Sequence, residues 1–260
     1  MIECKHLSYS YQDFQLNEIE VLKDISFKID KDEKVLLLGI NGSGKSTLLK
    51  LLNGLLFAKN GEYYFKNELV NKSYLKANSK EFRKSVSLGM QDPSSMLFNP
   101  SVYDEIAFGL KHFGFDDIDE RVHHYAKKFE IQSILKSSPL SLSGGQKQKV
   151  LLASLLCVEP EVLLLDEPTA HLDPPTTGWL VEFLDSLNVT AIISTHNISL
   201  GKELAKRAIV IGANHEIIYD GGVQALLEDM PTLIKAQLVH KHKHNHEELE
   251  HKHYHLHSWV

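Results

Sequence analysis

Nine consecutive residues, GINGSGKST from Gly39 to Thr47, bring three glycines, a lysine and three hydroxyls together. That set suits a polyanion. Gly39, Gly42 and Gly44 let backbone N–H groups turn inward around phosphates, and Asn41, Ser43 and Thr47 complete the loop. Lys45 can reach the outer phosphates and the Ser46 hydroxyl can ligate Mg²⁺. A second stretch, VLLLDEP, closes on Asp166 and Glu167. A carboxylate at the end of a strand can hold Mg²⁺, usually through water, which suits Asp166. Its neighbour Glu167 is then placed to act as general base, or to orient an attacking water. An Asp-Glu pair alone could equally cap the next element; the phosphate loop upstream favours the catalytic reading.

These residues need a frame, and the apolar pattern supplies one. VLKDISFKI at 21–29 alternates like a half-buried strand, and KVLLLG at 34–39 reads as a fully buried strand running into the glycine turn. KSTLLKLLNGLL has helical spacing. EVLLLDEP at 161–168 is a second buried run, followed by a helical pattern near 176–187, by TAIISTH at 190–196 and by RAIVIGANHEIIYDG, a hairpin. Apolar strands separated by helices predict an α/β fold with a parallel sheet covered on both faces. Between the halves, about 95–158, SVYDEIAFGL, DERVHHYAKKFEI and GGQKQKVLLASLLC all have helical spacing and predict an inserted helical subdomain. No internal repeat is visible.

The segment LSLSGGQKQKV sets the family expectation. Its Leu142, Ser143, Gly144, Gly145 and Gln146, about twenty residues before Asp166, resemble the signature of ATP-binding-cassette (ABC) ATPases. Gln91 in GMQDP resembles the Q-loop glutamine, AHLD at 170–173 the D-loop, His196 in STHN the switch histidine, and Tyr11 in LSYSYQD the aromatic that stacks on adenine; Tyr9 is the alternative. The resemblance covers about 2–228. It implies a P-loop NTPase (RecA-like) core with a small antiparallel β subdomain, an ATPase domain over 1–228 and an extension over 229–260. It also implies ATP and Mg²⁺, with Ser46, Gln91 and Asp166 around the metal. Ser143 to Gln146 would face nucleotide held by the Lys45 loop of a second ATPase subunit, and Asp173 would link the two sites. His196 would contact the γ-phosphate. Lys149, where many members carry arginine, and His171 and Asn197 depart from the family pattern without removing a catalytic group.

The remaining features narrow the class. A formal charge of −6 argues against a nucleic-acid binder. Cys4 and Cys157 have neither disulfide-framework nor zinc spacing. No apolar run is long enough to span a membrane and the start has no signal-peptide core, so any spanning belongs to integral membrane partners. One cassette without a heptad insertion resembles a transport ATPase rather than a translation or chromosome member. QDPSSMLFNPSVYDEIAFGLKHFGF, 91–115, resembles energy-coupling-factor importers, particularly the cobalt and nickel group, and makes Met96, Leu97 and Phe98 candidate membrane-subunit contacts, with core packing as the equal alternative.

Eight of the fifteen histidines lie at the end of the chain: His240, His242, His244, His246, His251, His253, His255 and His257. Neutral imidazole binds Ni²⁺, Co²⁺, Cu²⁺ and Zn²⁺, with affinity falling below about pH 6 as the rings protonate. The reading is capture, buffering or sensing of a transported metal. Incidental binding is the blander alternative, and the irregular Lys, Asn, Glu, Tyr and Leu spacers argue against an engineered tag. Being polar and charged, 240–257 is expected to have no fixed structure without metal. Together these features predict the ATPase of a nickel or cobalt importer, peripheral on the cytoplasmic face of the cell membrane. The alternatives are another cargo (vitamin, amino acid or lipid), a metal-storage protein, or a repair or chromosome ATPase.

Overall fold

A computed structural model describes residues 1–170, 172–246 and 249–256, with side chains up to Val239; His171 and His257 lie outside the described residues. The chain opens with β1 (Ile2–Gln12) and β2 (Glu18–Ile29), an antiparallel pair. Then come β3 (Lys34–Leu38), α1 (Lys45–Leu52), β4 (Asn60–Phe65), β5 (Glu68–Leu69), α2 (Lys72–Ser85) and β6 (Val86–Gly89). The middle is helical, with α3 (Val102–Phe113), α4 (Ile118–Lys128) and α5 (Gly144–Leu156). The second half runs through β7 (Val162–Asp166), α6 (Pro174–Ser186), β8 (Thr190–Thr195), α7 (Gly201–Leu204), β9 (Arg207–Ile211) and β10 (Ile217–Gly222). Two short helices, α8 (Val223–Glu228) and α9 (Met230–Lys235), lead to β11 (Val239–His246) and β12 (Leu249–Leu256).

The large sheet has the order β10-β9-β3-β8-β7-β6, parallel except for the antiparallel edge strand β10. Its inner strands are mainly apolar and nearly all buried because helices or a second sheet cover both faces. Alternation divides β3 between two cores. Val35 and Leu37 pack with Leu22, Ile25, Leu49 and Phe82, against α1, α2 and the small antiparallel sheet β2-β1-β4-β5. Leu36 and Leu38 face the other way, into a core shared with Ile106, Leu151 and Leu180 of the helical side. Burying each such side chain contributes about 1.5–3 kcal/mol, so the sheet is clamped from both sides.

Local sequence sets the helix ends. Ser101 caps α3 by accepting from the Asp104 N–H, and Gly114 closes it at φ 80°, a left-handed position that glycine takes without strain. In α5, Ser143 Oγ accepts from the Gln146 N–H while the Gln146 side chain accepts from the Ser143 N–H, a full capping box. Asp173 caps α6, whose first turn carries proline.

One expectation is corrected and another gains a form. Residues 240–257 are expected to have no fixed structure without metal; here β11 and β12 pair antiparallel from Val239–Leu256 to His246–Leu249, the arrangement a bound ion would have to hold. Spacing by two, read as ligand spacing, is also strand spacing, and two such segments can satisfy each other's backbone groups. Of the expected membrane-subunit contacts, Leu97 is buried in the core, Met96 is half-buried with its sulfur 3.2 Å from the Met90 nitrogen, and only Phe98 is well exposed. Among the described residues no helix is long and apolar enough to cross a membrane.

Candidate functional site: a nucleotide site at the sheet edge

The carboxyl ends of β3, β8 and β7 lie side by side. Register places Leu38 beside Thr195 and Ser194 beside Asp166, which brings the loop after β3, His196 after β8 and Glu167 after β7 to one edge. Ligands of open α/β sheets bind at this edge. The sequence puts the phosphate loop and the Asp-Glu pair on buried strands but not their order; β8 stands between them.

Gly39 (φ 156°) and Gly44 (φ 109°) shape the loop. A Cβ on Gly39 would sit 2.5 Å from Ser43 Oγ and 2.6 Å from the Ile211 carbonyl oxygen, and one on Gly44 would strike the Val21 carbonyl. The loop hands over to α1 at Lys45, so the first turn directs free N–H groups and the positive end of the helix dipole at the cradle. The Lys45 ammonium donates to the carbonyls of Gly39 (2.8 Å) and Ile40 (3.2 Å) and lies 3.5 Å from Glu167 Oε1. Burial lowers its pKa from the usual lysine value, and the Glu167 charge opposes that shift.

Glu167 is only 5% exposed and holds a left-handed backbone, φ 47°, that is costly for a side chain of this kind. Ser194 steadies it from β8. The Glu167 N–H is shared between the Ser194 carbonyl (3.1 Å) and Ser194 Oγ (3.0 Å), and the same hydroxyl donates to Asp166 Oδ1 at 2.6 Å. Glu167 Oε2 lies 2.8 Å from Nδ1 of His196. A carboxylate only accepts, so Nδ1 carries the proton and Nε2 is the free end of the ring. Among the described residues, Glu167 Oε1 and Ser43 Oγ are buried without hydrogen-bond partners. Buried oxygens without hydrogen-bond donors beside a glycine cradle, with the Lys45 ammonium 3.5 Å from Glu167 Oε1 and a carboxylate and a hydroxyl at hand, fit a Mg²⁺-bound nucleotide. Ser46 and Asp166 are the residues that could hold the metal.

Tyr11 reaches this edge from β1, its hydroxyl 3.3 Å from Thr47 Oγ1, and the residue is 39% exposed. Tyr9, half-buried, meets it edge-to-face at 5.0 Å. Gln91 is exposed and lines a cavity of about 460 Å³ with Ser94, Gly144, Lys147 and Leu172. Lys147 of α5 donates to Ser94 Oγ at 3.1 Å and so ties the signature helix to the segment after Gln91.

The signature residues form a separate surface. Ser143, Gly144 and Gln146 are exposed and, with Gly145, Asp173 and Thr176, line a polar cavity of about 450 Å³. A Cβ on Gly145 would approach Thr176 Oγ1 to 3.0 Å, so a larger residue would press on α6. The Thr176 N–H donates to Asp173 at 2.8 Å, and hydrogen bonds from Thr176 hold the Asp173 carboxyl below its usual pKa. Gln146, expected among the nucleotide contacts, uses its side-chain oxygen on the Ser143 N–H.

Two residues at the ATP edge escape the sequence reading. Ser194 looks like a strand residue; its only signal is a hydroxyl in an otherwise apolar run. His215, in the β9–β10 turn, has Nδ1 3.3 Å from the Ser43 carbonyl oxygen. In a trans peptide C=O and N–H point opposite ways, so a contact to the Ser43 carbonyl also bears on the direction of the Gly44 N–H. No motif marks His215.

A family model for ABC transporters matches residues 22–170. A Methanosarcina acetivorans protein named as an ABC transporter ATP-binding protein is 42% identical over 251 residues, covering 93% of this chain and 90% of that protein. The chain belongs to the ABC transporter family. As an ABC cassette it is the ATP-hydrolysing subunit of a transporter. An energy-coupling factor transporter ATP-binding protein, EcfA, of Methanocaldococcus jannaschii is 37% identical over 243 residues, 92% of the cassette and 85% of EcfA. The structure of cbiO1 from Clostridium perfringens, described as part of the ABC transporter complex cbiONQ, superposes with a TM-score of 0.77 at 32% identity, covering 91% of this cassette and 94% of cbiO1.

Proposed function

We propose that this cassette powers the import of nickel or cobalt ions, working with a second ATPase subunit on integral membrane subunits at the cytoplasmic face. The observation that carries the cargo is the tail, in which eight imidazoles sit within 240–257 of a chain otherwise made as a transport ATPase. The EcfA and cbiO1 relatives support the same branch. The ATPase domain occupies 1–228, with a helical subdomain at about 95–158, and 229–260 is an extension that handles the metal.

At the ATP edge Lys45 offsets charge on the outer phosphates, the loop N–H groups hold their oxygens, and Tyr11 supports the adenine. Ser46 and Asp166, with Gln91 beside them, would hold Mg²⁺, which would supply charge neutralisation on the phosphates. Glu167, desolvated and fixed by Ser194 and His196, orients and polarises the attacking water. Ser143, Gly144 and Gly145 meet the γ-phosphate held by the second subunit, Gln146 fixes Ser143, and Asp173 stands between the sites. ATP then joins the two subunits and its hydrolysis releases them, because the γ-phosphate is the group both halves touch.

The test is cellular nickel and cobalt content at limiting supply, wild type against a Glu167→Gln strain. A fall in one metal identifies the cargo. Unchanged content of both contradicts a metal importer and leaves a vitamin, amino acid or lipid as cargo; a rise reverses the direction.

A further inference from the structure

Among the residues whose side chains are described, no group of three histidines, cysteines or carboxylates is placed to hold a metal ion. The backbone of the C-terminal strands assembles a different set. Register pairs His240 with His255, His242 with His253 and His244 with His251. Positions two apart share one face of a strand, so these six histidines occupy one face of the hairpin as three directly opposed pairs. The other face carries the pairs Val239–Leu256, Lys241–Tyr254, Lys243–Lys252 and Asn245–Glu250. The hairpin is rooted where Leu233, Leu238 and Val239 join the core.

Spacing and energetics both point to an ion. Opposed residues of an antiparallel pair bring their Cβ atoms to about 4.5–5.5 Å, and successive pairs on one face follow at about 7 Å. Imidazole nitrogens bind borderline metals at about 2.0–2.1 Å, so one pair can bridge the strands and two neighbouring pairs can supply four ligands. A lone two-stranded hairpin is marginal in water. This one has no apolar face and sets Lys243 against Lys252, which opposes pairing. An ion ligated from both strands offsets these costs, since it binds the paired state far better than the open chain.

We propose that the C-terminal hairpin is a metal-stapled histidine ladder: the three opposed pairs of β11 and β12 bind a borderline divalent cation such as Ni²⁺, Co²⁺, Cu²⁺ or Zn²⁺ across the strands, and the ion holds the register. The proposal rests on the metal-handling reading of the tail and adds a defined ligand set to it. A tail that binds metal without this register would use its histidines in any combination.

The experiment titrates full-length protein with Ni²⁺ by calorimetry and follows amide hydrogen exchange over 240–256 with and without the ion. Alongside wild type it uses a variant that exchanges neighbours on β12 (His251→Lys, Lys252→His, His253→Tyr, Tyr254→His). Every histidine is kept, but two move to the opposite face. A deletion of 240–260 is the third protein, and ATP turnover checks that each cassette is folded. The ladder predicts that the exchanged variant binds Ni²⁺ about tenfold or more weakly, because ligands are no longer held together at high effective concentration, and loses the Ni²⁺-induced protection. Equal affinity and protection in the two proteins overturn the ladder while leaving a metal-binding tail. Binding undiminished by the deletion, or no binding by wild type, overturns the tail reading and the ladder with it.

Discussion

Around Lys45 the polar groups are buried and face one another. The ammonium, Glu167, Asp166 and Ser194 are each buried and joined by short contacts. Around Ser143 the polar groups face outward: Ser143, Gly144 and Gln146 are exposed and line an open cavity with Asp173. Both places begin a helix with glycines in or beside its first turn, and both offer backbone N–H groups to an anion. What separates them is the chemistry nearby. The first has a desolvated carboxylate and a lysine and can activate water; the second sets its donors beside exposed carboxylates, of which Asp173 is already engaged by Thr176. A surface that can grip a phosphate without a desolvated base suits the proposed role of completing the site of a second subunit.

The contrast predicts effects of different size and kind. Glu167→Gln should lower ATP turnover by about 10²–10⁴-fold with little change in ATP affinity, as expected for loss of a group acting on water. Equal losses in both parameters would mean that Glu167 serves binding. Ser194→Ala should come next, because it strips a donor from buried Asp166 and an acceptor from the Glu167 N–H. Thermal or urea unfolding should show a cost of about 1–3 kcal/mol. On the exposed half, Gln146→Ala breaks only a capping box, and unfolding should register no more than about 1 kcal/mol. A cost as large as that of Ser194→Ala would erase the distinction.

A last test asks whether the exposed half is open because it is loosely packed. Cys157, just past α5, is buried with Sγ 3.3 Å from the Ile106 carbonyl oxygen, and burial pushes its thiol up to about 12. A thiol whose folded pKa exceeds the unfolded value of about 8.5 contributes its full stability below pH 8.5 and loses it as pH rises toward 12. The native protein should therefore react with a thiol reagent at the global unfolding rate near neutrality and lose stability above about pH 8.5. Rapid reaction of Cys157 at neutral pH would show a loose helical region.

Much of the ATP edge is legible in the residues, because glycine, lysine and carboxylate at fixed spacing have few other uses and the strands carrying them are uniformly apolar. Strand order is not legible. Nothing in β7 or β8 says which lies beside β3, and Ser194 and His215 act through neighbours that only the folded chain brings near. Leu97 illustrates the limit of composition: within Met96-Leu97-Phe98, alike in type, only packing decides that Leu97 is interior and Phe98 is not. In the tail two signals coexist: polarity suggests disorder without metal, while alternation by two is compatible with pairing.

The measurement that tests the divided site most directly mixes two inactive proteins, Lys45→Ala and Ser143→Arg, and records ATP turnover. Each alone has every site damaged. In a mixed dimer the Ser143→Arg chain keeps its Lys45 loop and the Lys45→Ala chain keeps its signature, so one whole site forms. Random pairing of equal amounts predicts recovery of about a quarter of the wild-type rate. Turnover that stays at the average of the two separate proteins would contradict a site built from two chains.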